Sequence, residues 1–187
     1  MALKVLKLLT AKHLPSVAPV LLALMLVFAS QSSSMAQVSG QAFEGFRSNT
    51  KDPVQIEADQ LEVLDEQAKA VFRGNVKVRQ GSSLITTSRL VVKYLKGSKG
   101  GQNDIERLDM TGGLIATSKQ NTVTAETGTF HVQTENIVLS GKVTISQGVN
   151  IATGCKLIAN LKTNKARLEA CKGGGRVKSI FTPGSDN

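Results

Sequence analysis

Gly74-Asn75-Val76-Lys77-Val78-Arg79-Gln80-Gly81 returns 67 residues later as Gly141-Lys142-Val143-Thr144-Ile145-Ser146-Gln147-Gly148. In each copy two apolar residues, Val76 and Val78 or Val143 and Ile145, alternate with polar ones between flanking glycines. That is the period-two pattern of a half-buried strand that ends in a turn. The correspondence runs on without a gap through Thr86 and Thr153 to Leu90 and Leu157. A chain that repeats strand and turn units builds an extended surface, not a core around one reactive point.

Alternation extends outward from the repeat. Leu90, Val92 and Tyr94 alternate with Arg89 and Lys93, and Leu157, Ala159 and Leu161 with Lys156, Asn160 and Lys162. Residues 61–70 are the one stretch that passes for a helical turn, and Val63, Val71 and Phe72 fit strands around an Asp65-Glu66-Gln67 turn better. The expected class is all-β with almost no helix.

Four segments share a further pattern: 56–63, 85–92, 125–132 and 152–159. Each carries an apolar or small pair at positions i and i+2 and the next apolar pair at i+5 and i+7, so the inward face changes parity midway. A flat strand cannot do this, whereas a bulge or corner restores the inward direction and bends the strand. Bent antiparallel strands folded over a common interior make a jelly roll or rolled sheet. The residues assigned to its inner face in the first half are Ile56, Leu61, Val63, Phe72, Val76, Val78, Leu90 and Val92. In the second half they are Phe130, Val132, Val143, Ile145, Leu157 and Ala159. The lining is aliphatic, with single phenylalanines and no tryptophan, and is expected to stay open as a groove for something apolar.

The N-terminus indicates where the protein acts. Lys4, Lys7 and Lys12 precede an apolar run over 17–29, and Ser34-Met35-Ala36 offers small residues at the two positions a signal peptidase inspects. Thirteen apolar residues rise only about 20 Å as a helix, short of a bilayer core. Residues 1–36 therefore read as a secretory signal peptide, 37–51 as a flexible leader, 52–183 as one β domain and 184–187 as a tail. Cleavage removes three lysines and no acid, which lowers the formal net charge from +9 to +6. In an exported protein a basic balance points to anionic surfaces such as phosphorylated lipid head groups. Nucleic acid is an unsuitable partner, because the aromatics are scattered and not interleaved with Arg and Lys as stacking platforms.

Cys155 and Cys171 are the only cysteines. They bracket two strand-like runs around Lys162-Thr163-Asn164-Lys165, and in an oxidising compartment a bridge closing that loop would stabilise by roughly 3 kcal/mol. Strict pairing through a two-residue turn, however, places Cys171 opposite Lys156, so two small buried thiols remain the alternative. Catalytic chemistry is not evident. His131 lies on the polar side of its strand, Asp59, Asp65 and Glu66 fit turn and strand-edge positions, and no nucleophile elbow, phosphate loop, metal spacing or cofactor motif is present.

With these residues in view, the chain resembles the periplasmic lipopolysaccharide-export bridge proteins of the organic-solvent-tolerance (OstA-like) family. The matching strings are Ile56-Glu57-Ala58-Asp59-Gln60-Leu61, Ala70-Val71-Phe72-Arg73-Gly74-Asn75-Val76-Lys77-Val78-Arg79-Gln80-Gly81, the second glycine-bounded copy, and the closing stretch over 175–183. The resemblance implies a V-shaped, semi-closed β-jelly roll that takes lipopolysaccharide acyl chains into an apolar groove. It also implies stacking end to end with similar domains, between an inner-membrane lipopolysaccharide-extraction complex and an outer-membrane translocon. The cysteine pair and the Gly-rich insertion at 96–101 depart from the family pattern.

Charge points the same way as that stacking. Six acids and no base lie between Asp52 and Glu66, whereas 142–178 holds eight bases and one acid, Glu169. Opposite signs at the two ends of a fold favour head-to-tail contact. The expected assembly edges are Val54 at the start and Val177, Ile180 and Phe181 at the end, giving a head-to-tail homo-oligomer by strand addition. Two other readings stay open: an exported structural or adhesive β-repeat module with a solid core and no lipid, and a basic coat on anionic polysaccharide.

Overall fold

The computed structural model of the chain describes residues 52–97 and 104–182. The expected signal peptide, leader and tail, and most of the insertion at 96–101, lie outside the described residues. Ten strands form one antiparallel sheet: β1 (Gln55–Glu57), β2 (Gln60–Leu64), β3 (Lys69–Gln80), β4 (Ser83–Tyr94), β5 (Ile105–Ser118), β6 (Asn121–His131), β7 (Asn136–Gln147), β8 (Asn150–Asn160), β9 (Lys165–Glu169) and β10 (Lys178–Ile180). Sequential strands pair from β3 to β8, both β1 and β2 pair with β3, and both β9 and β10 pair with β8. Helical structure among the described residues is confined to a 3-10 turn at Asp65–Gln67 and to Asp104 just before β5. The expected all-β class and the turn at 65–67 are what the structure shows.

Every long strand breaks register near its middle. Between β3 and β4 the pairing jumps from Arg73↔Arg89 to Val76↔Thr87, so Gly74 and Asn75 stand against Ser88 alone. The same count recurs where Gly112 and Gly113 of β5 face Ser88, and where Gly141 and Lys142 of β7 face Cys155 of β8. Two residues against one is a bulge, which bends the strand and raises its twist. All six residues of these doublets have positive φ, from 43° at Lys142 to 89° at Gly113. The doublet in β5 is a third copy of the unit, unread in the sequence because Lys119 replaces the closing glycine, with nearly the same φ of 54°.

The bend divides each strand into two arms while one face stays apolar throughout. In the first arm Val78, Ile85, Ala116, Val123, Ile145 and Ala152 lie side by side; in the second, Phe72, Leu90, Met110, Gly128, Leu139, Leu157 and Leu168 do. Residues of both arms join one core in which Val76, Leu90, Val143 and Leu157 are completely buried. Gly128 contributes no side chain, and Leu114, Leu139 and Met110 fill the place a Cβ would take, approaching it to 2.8–3.3 Å.

At three of the bends a polar side chain crosses a glycine. Ser88 lies 2.8 Å, Cβ to Cβ position, from where a side chain on Gly112 would begin, and its hydroxyl donates to the Gly112 carbonyl at 2.7 Å. Asp59 crosses Gly74 and Glu126 crosses Gly141 in the same way.

Two measurements test this account by urea denaturation. Leu157→Ala should cost about 2–5 kcal/mol by leaving a cavity in the shared core, whereas Ile151→Ala, on the opposite face, should cost under about 1 kcal/mol. Gly112→Ala should cost about 1–3 kcal/mol from its left-handed backbone alone, with the Ser88 contact added; a neutral effect would mean that the bend does not need this geometry.

Candidate functional site

The inner face is not uniformly covered. At the first-arm end it stops at a polar row, Gln80, Ser83, Ser118, Asn121, Gln147 and Asn150, which pair in that order across successive strands. At the second-arm end it remains apolar: Tyr94, Ile105, Leu108, Phe130 and Ile137 are half-buried against the core. On β2, Leu61 pairs with Phe72 and Val63 with Ala70, which places both on this inner face, yet they are 57% and 60% exposed. They form an apolar lip beside Phe72, interleaved with Glu62 and followed by Asp65 and Glu66.

Most of the inner-face residues read from the sequence come together here. Val76, Val78, Leu90, Val92, Val143, Ile145, Leu157 and Ala159 belong to the buried core, and Ile56, Phe72 and Phe130 pack against it partly buried. Three depart. Leu61 and Val63 face inward but are exposed, because among the described residues β2 has a neighbour on one side only. Val132 lies one residue past the end of β6 and outside the core; its backbone N–H donates to the Glu106 carbonyl. The reading of 125–132 was two residues late, since the inward set of β6 is Val123, Ala125, Gly128 and Phe130 while Thr127 is exposed.

The expected open interior is packed in its middle and exposed at its lip. The inner face is filled by its own side chains, with Leu161 and Val92 about 1% exposed in the second arm and Ile145 3% in the first. A depression of about 470 Å³ at the bend takes Lys77, Thr86 and Ile115 from the outer face together with Val76 and Leu114, and does not run along the apolar interior. An apolar ligand along the inner face must therefore displace side-chain contacts, starting where the face is already exposed.

The edges carry the expected charge. Glu57, Asp59 and Glu62 lie on or between β1 and β2, while Lys165, Arg167 and Lys178 lie on β9 and β10 at the far side of the sheet. Arg73 pairs with Glu62 at 3.1 Å and Arg167 with Glu169 at 3.3 Å, both exposed. Val54 precedes β1 and packs partly buried against the core, so it is not a free edge residue. Val177 precedes β10, within which Lys178, Ser179 and Ile180 pair with Thr153, Ala152 and Ile151. Ile180 and Phe181 are 64% and 61% exposed. Cys155 and Cys171 form a disulfide with a Cα–Cα distance of 4.8 Å. The last hairpin turns through four residues, not two, pairing Lys156 with Glu169, and this leaves Cys171 one place beyond the position opposite Cys155.

Among the described residues no group of three or more His, Cys, Asp or Glu is arranged to hold a metal ion. No helix among them is long and apolar enough to cross a membrane.

Comparison with known proteins gives this architecture a family. The chain is 35% identical over 158 residues to an uncharacterized protein of Rhizobium meliloti (strain 1021), covering 82% of this chain and 84% of that one. A second relative, an uncharacterized Rhizobium etli protein from the 5′ region of an rpoN-linked probable transport protein, is 48% identical over 44 residues, 24% of this chain and 78% of its own length. The fold matches the crystal structure of LptH, described as the LptA-homologous periplasmic component of the lipopolysaccharide transport device of Pseudomonas aeruginosa. The TM-score is 0.62 at 23% identity, over 73% of this chain and 100% of that chain. Residues 55–165, from β1 to the start of β9, match the model of the LptA/(LptD N-terminal domain) LPS transport proteins, and the chain belongs to that family.

Proposed function

We propose that this chain is an exported, periplasmic carrier that takes lipopolysaccharide acyl chains onto the inner face of its bent sheet and passes them along a row of similar domains. The observation that carries this reading is the continuous aliphatic face over both arms, polar at one end and opening at the other onto Leu61, Val63 and Phe72. Acyl chains demand no directional contacts; what they gain is removal from water, about 0.8 kcal/mol per buried methylene. The arms part as the lipid enters, beginning at the exposed lip. The proposed donor and acceptor are an inner-membrane lipopolysaccharide-extraction complex and an outer-membrane translocon, the arrangement the family resemblance implies. No step in this role calls for catalysis.

Assembly follows from the edges. Among the described residues β1 and β10 each have a paired neighbour on one side only. Both lie on the first arm, and they carry opposite charge. An unpaired edge is a template for another strand, so β10 of one molecule adds to β1 of the next, with charge setting orientation and encounter rate.

Two experiments test these halves separately. Photocrosslinkers at Phe72 and Phe130 should capture lipopolysaccharide in the cell envelope, while those at Lys77 and His131 should not; equal capture at all four positions would sink the inner-face assignment. In sedimentation velocity, protein truncated before Val177 should stay monomeric at concentrations where full-length protein forms chains, and should still bind lipid. Chain formation by the truncated protein would rule out the β10 edge.

A further inference from the structure

The disulfide occupies a distinctive place in the repeat. On each strand that faces a left-handed doublet, one extra residue marks the bend: Asp59, Ser88, Glu126 and Cys155 stand in equivalent positions of 56–61, 85–90, 123–128 and 152–157. The first three cross a glycine on the next strand of the sheet, at Gly74, Gly112 and Gly141. Among the described residues no such strand follows β8. Its place is taken by β9 on the second arm and β10 on the first, and the two-residue corner is opened into the linker 170–177. Cys171 lies at the start of that linker, bonded to Cys155. The bond thus stands where a polar contact stands at every other bend.

The two edges of the sheet differ sharply in what else holds them. At the N-terminal edge β1 and β2 are joined by Ala58 and Asp59 alone; the Asp59 N–H donates to the Gly74 carbonyl at 3.0 Å, and Asn75 donates to the Asp59 carboxylate at 2.9 Å. At the C-terminal edge residues 171–176 are exposed, and Gly173 and Gly174 have φ of 99° and 107° with open space around them. After that linker β10 has three pairings with β8 and one flanking bond, from the Thr182 N–H to the Asn150 side chain at 3.0 Å. A strand this short on a glycine linker does not pay its ordering entropy by pairing alone. Anchoring the linker at the bend trims the free tether of β10 from 170–177 to 172–177 and fixes its origin beside β8.

We infer that the Cys155–Cys171 dithiol is the substrate of an exported disulfide-donating oxidoreductase, and that its oxidation is the step that docks β10 as the C-terminal edge strand. Cys171 is exposed and Cys155 half-buried, so the incoming protein reaches Cys171 first. The Cys171 thiolate, its proton given to solvent, attacks the donor disulfide, forming a mixed disulfide and expelling the donor's other sulfur as a thiolate that takes up a proton. The Cys155 thiolate then attacks the Cys171 sulfur, closing the intramolecular bond and releasing the donor as a dithiol. Two electrons leave the cysteine pair and reduce the donor. Since β10 is the proposed assembly edge, a consequence that rests on that proposal is that a newly exported chain becomes able to join a row only after it has been oxidised.

Hydrogen exchange on the full-length mature protein tests the docking step. In the reduced protein and in the Cys155→Ala/Cys171→Ala variant, amides of 178–180 should exchange at least about twofold faster than in the oxidised protein, because the tether is then longer and its origin is no longer held beside β8. Amides of 90–92 and 157–159 should be unchanged, which shows that the sheet is intact. Unchanged exchange at 178–180 would overturn the inference. In cell envelopes Cys155→Ala should trap a mixed disulfide through Cys171 with a donor protein, visible as a thiol-sensitive adduct; absence of an adduct in that variant would overturn the donor assignment. Sedimentation of the same samples separates the two proposals: loosened β10 with undiminished chain formation supports oxidation as the docking step and rejects β10 as the assembly edge.

Discussion

The structure depends on one local constraint, the two-against-one bulge at the middle of every long strand. A doublet of left-handed residues on β3, β5 and β7 is set against a single extra residue on each neighbour. Because it recurs at the same level on every strand, the bends align into one crease across the sheet. The apolar side chains of both arms consequently belong to the same face and the same core. Losing a single residue from one bulge would turn half of that strand's apolar set to solvent.

The crease also explains which parts of the fold are legible in the sequence. On β4 and β8 the single extra residue shifts the inward parity, from Ile85 and Thr87 to Leu90 and Val92, and from Ala152 and Gly154 to Leu157 and Ala159. That shift shows as a broken alternation. On β3 and β7 the doublet adds two residues and parity survives, so the bend is written only in the glycines, which a repeat search catches but alternation does not. β6 hides its switch because the inward position after it is Gly128, whose space belongs to side chains from β5 and β7. The exposure of Leu61 and Val63 is not a property of their own segment at all. It follows from β2 having no neighbour beyond it among the described residues, a fact of topology that local pattern does not carry. The same holds for the last hairpin, where a turn two residues longer than the minimal one moves the cysteine register.

A filled interior is compatible with carrying lipid when the exchange is considered as a whole. Each acyl methylene that enters is removed from water, but it replaces contacts the two arms already made with each other, so the net gain is smaller than the transfer of a free chain suggests. A carrier benefits from that near balance, since a cargo held at the full transfer free energy would not leave. The lining suits the exchange: Val, Leu, Ala and Met impose few directional demands, and the polar row at the first-arm end marks where the apolar path stops.

The two edges solve the problem of an open sheet in different ways. A sheet that bends without closing leaves unpaired strands, which natural proteins shorten, charge or cover. Here β1 and β10 are both three residues long, which limits the main-chain bonds any added strand can form on the first arm. Charge then supplies direction in the proposed assembly: acids at one edge and bases at the other favour unlike edges meeting and disfavour like ones, an arrangement that is heterologous and propagates instead of closing on a two-fold axis. The N-terminal edge is fixed by a two-residue corner and the C-terminal edge follows an exposed linker that a covalent bond ties to the bend, so on the inference drawn above the same sheet ends in one preformed edge and one whose order depends on that bond. In the proposed assembly, control therefore belongs to the C-terminal edge, where the inferred docking of β10 is a step apart from folding of the sheet.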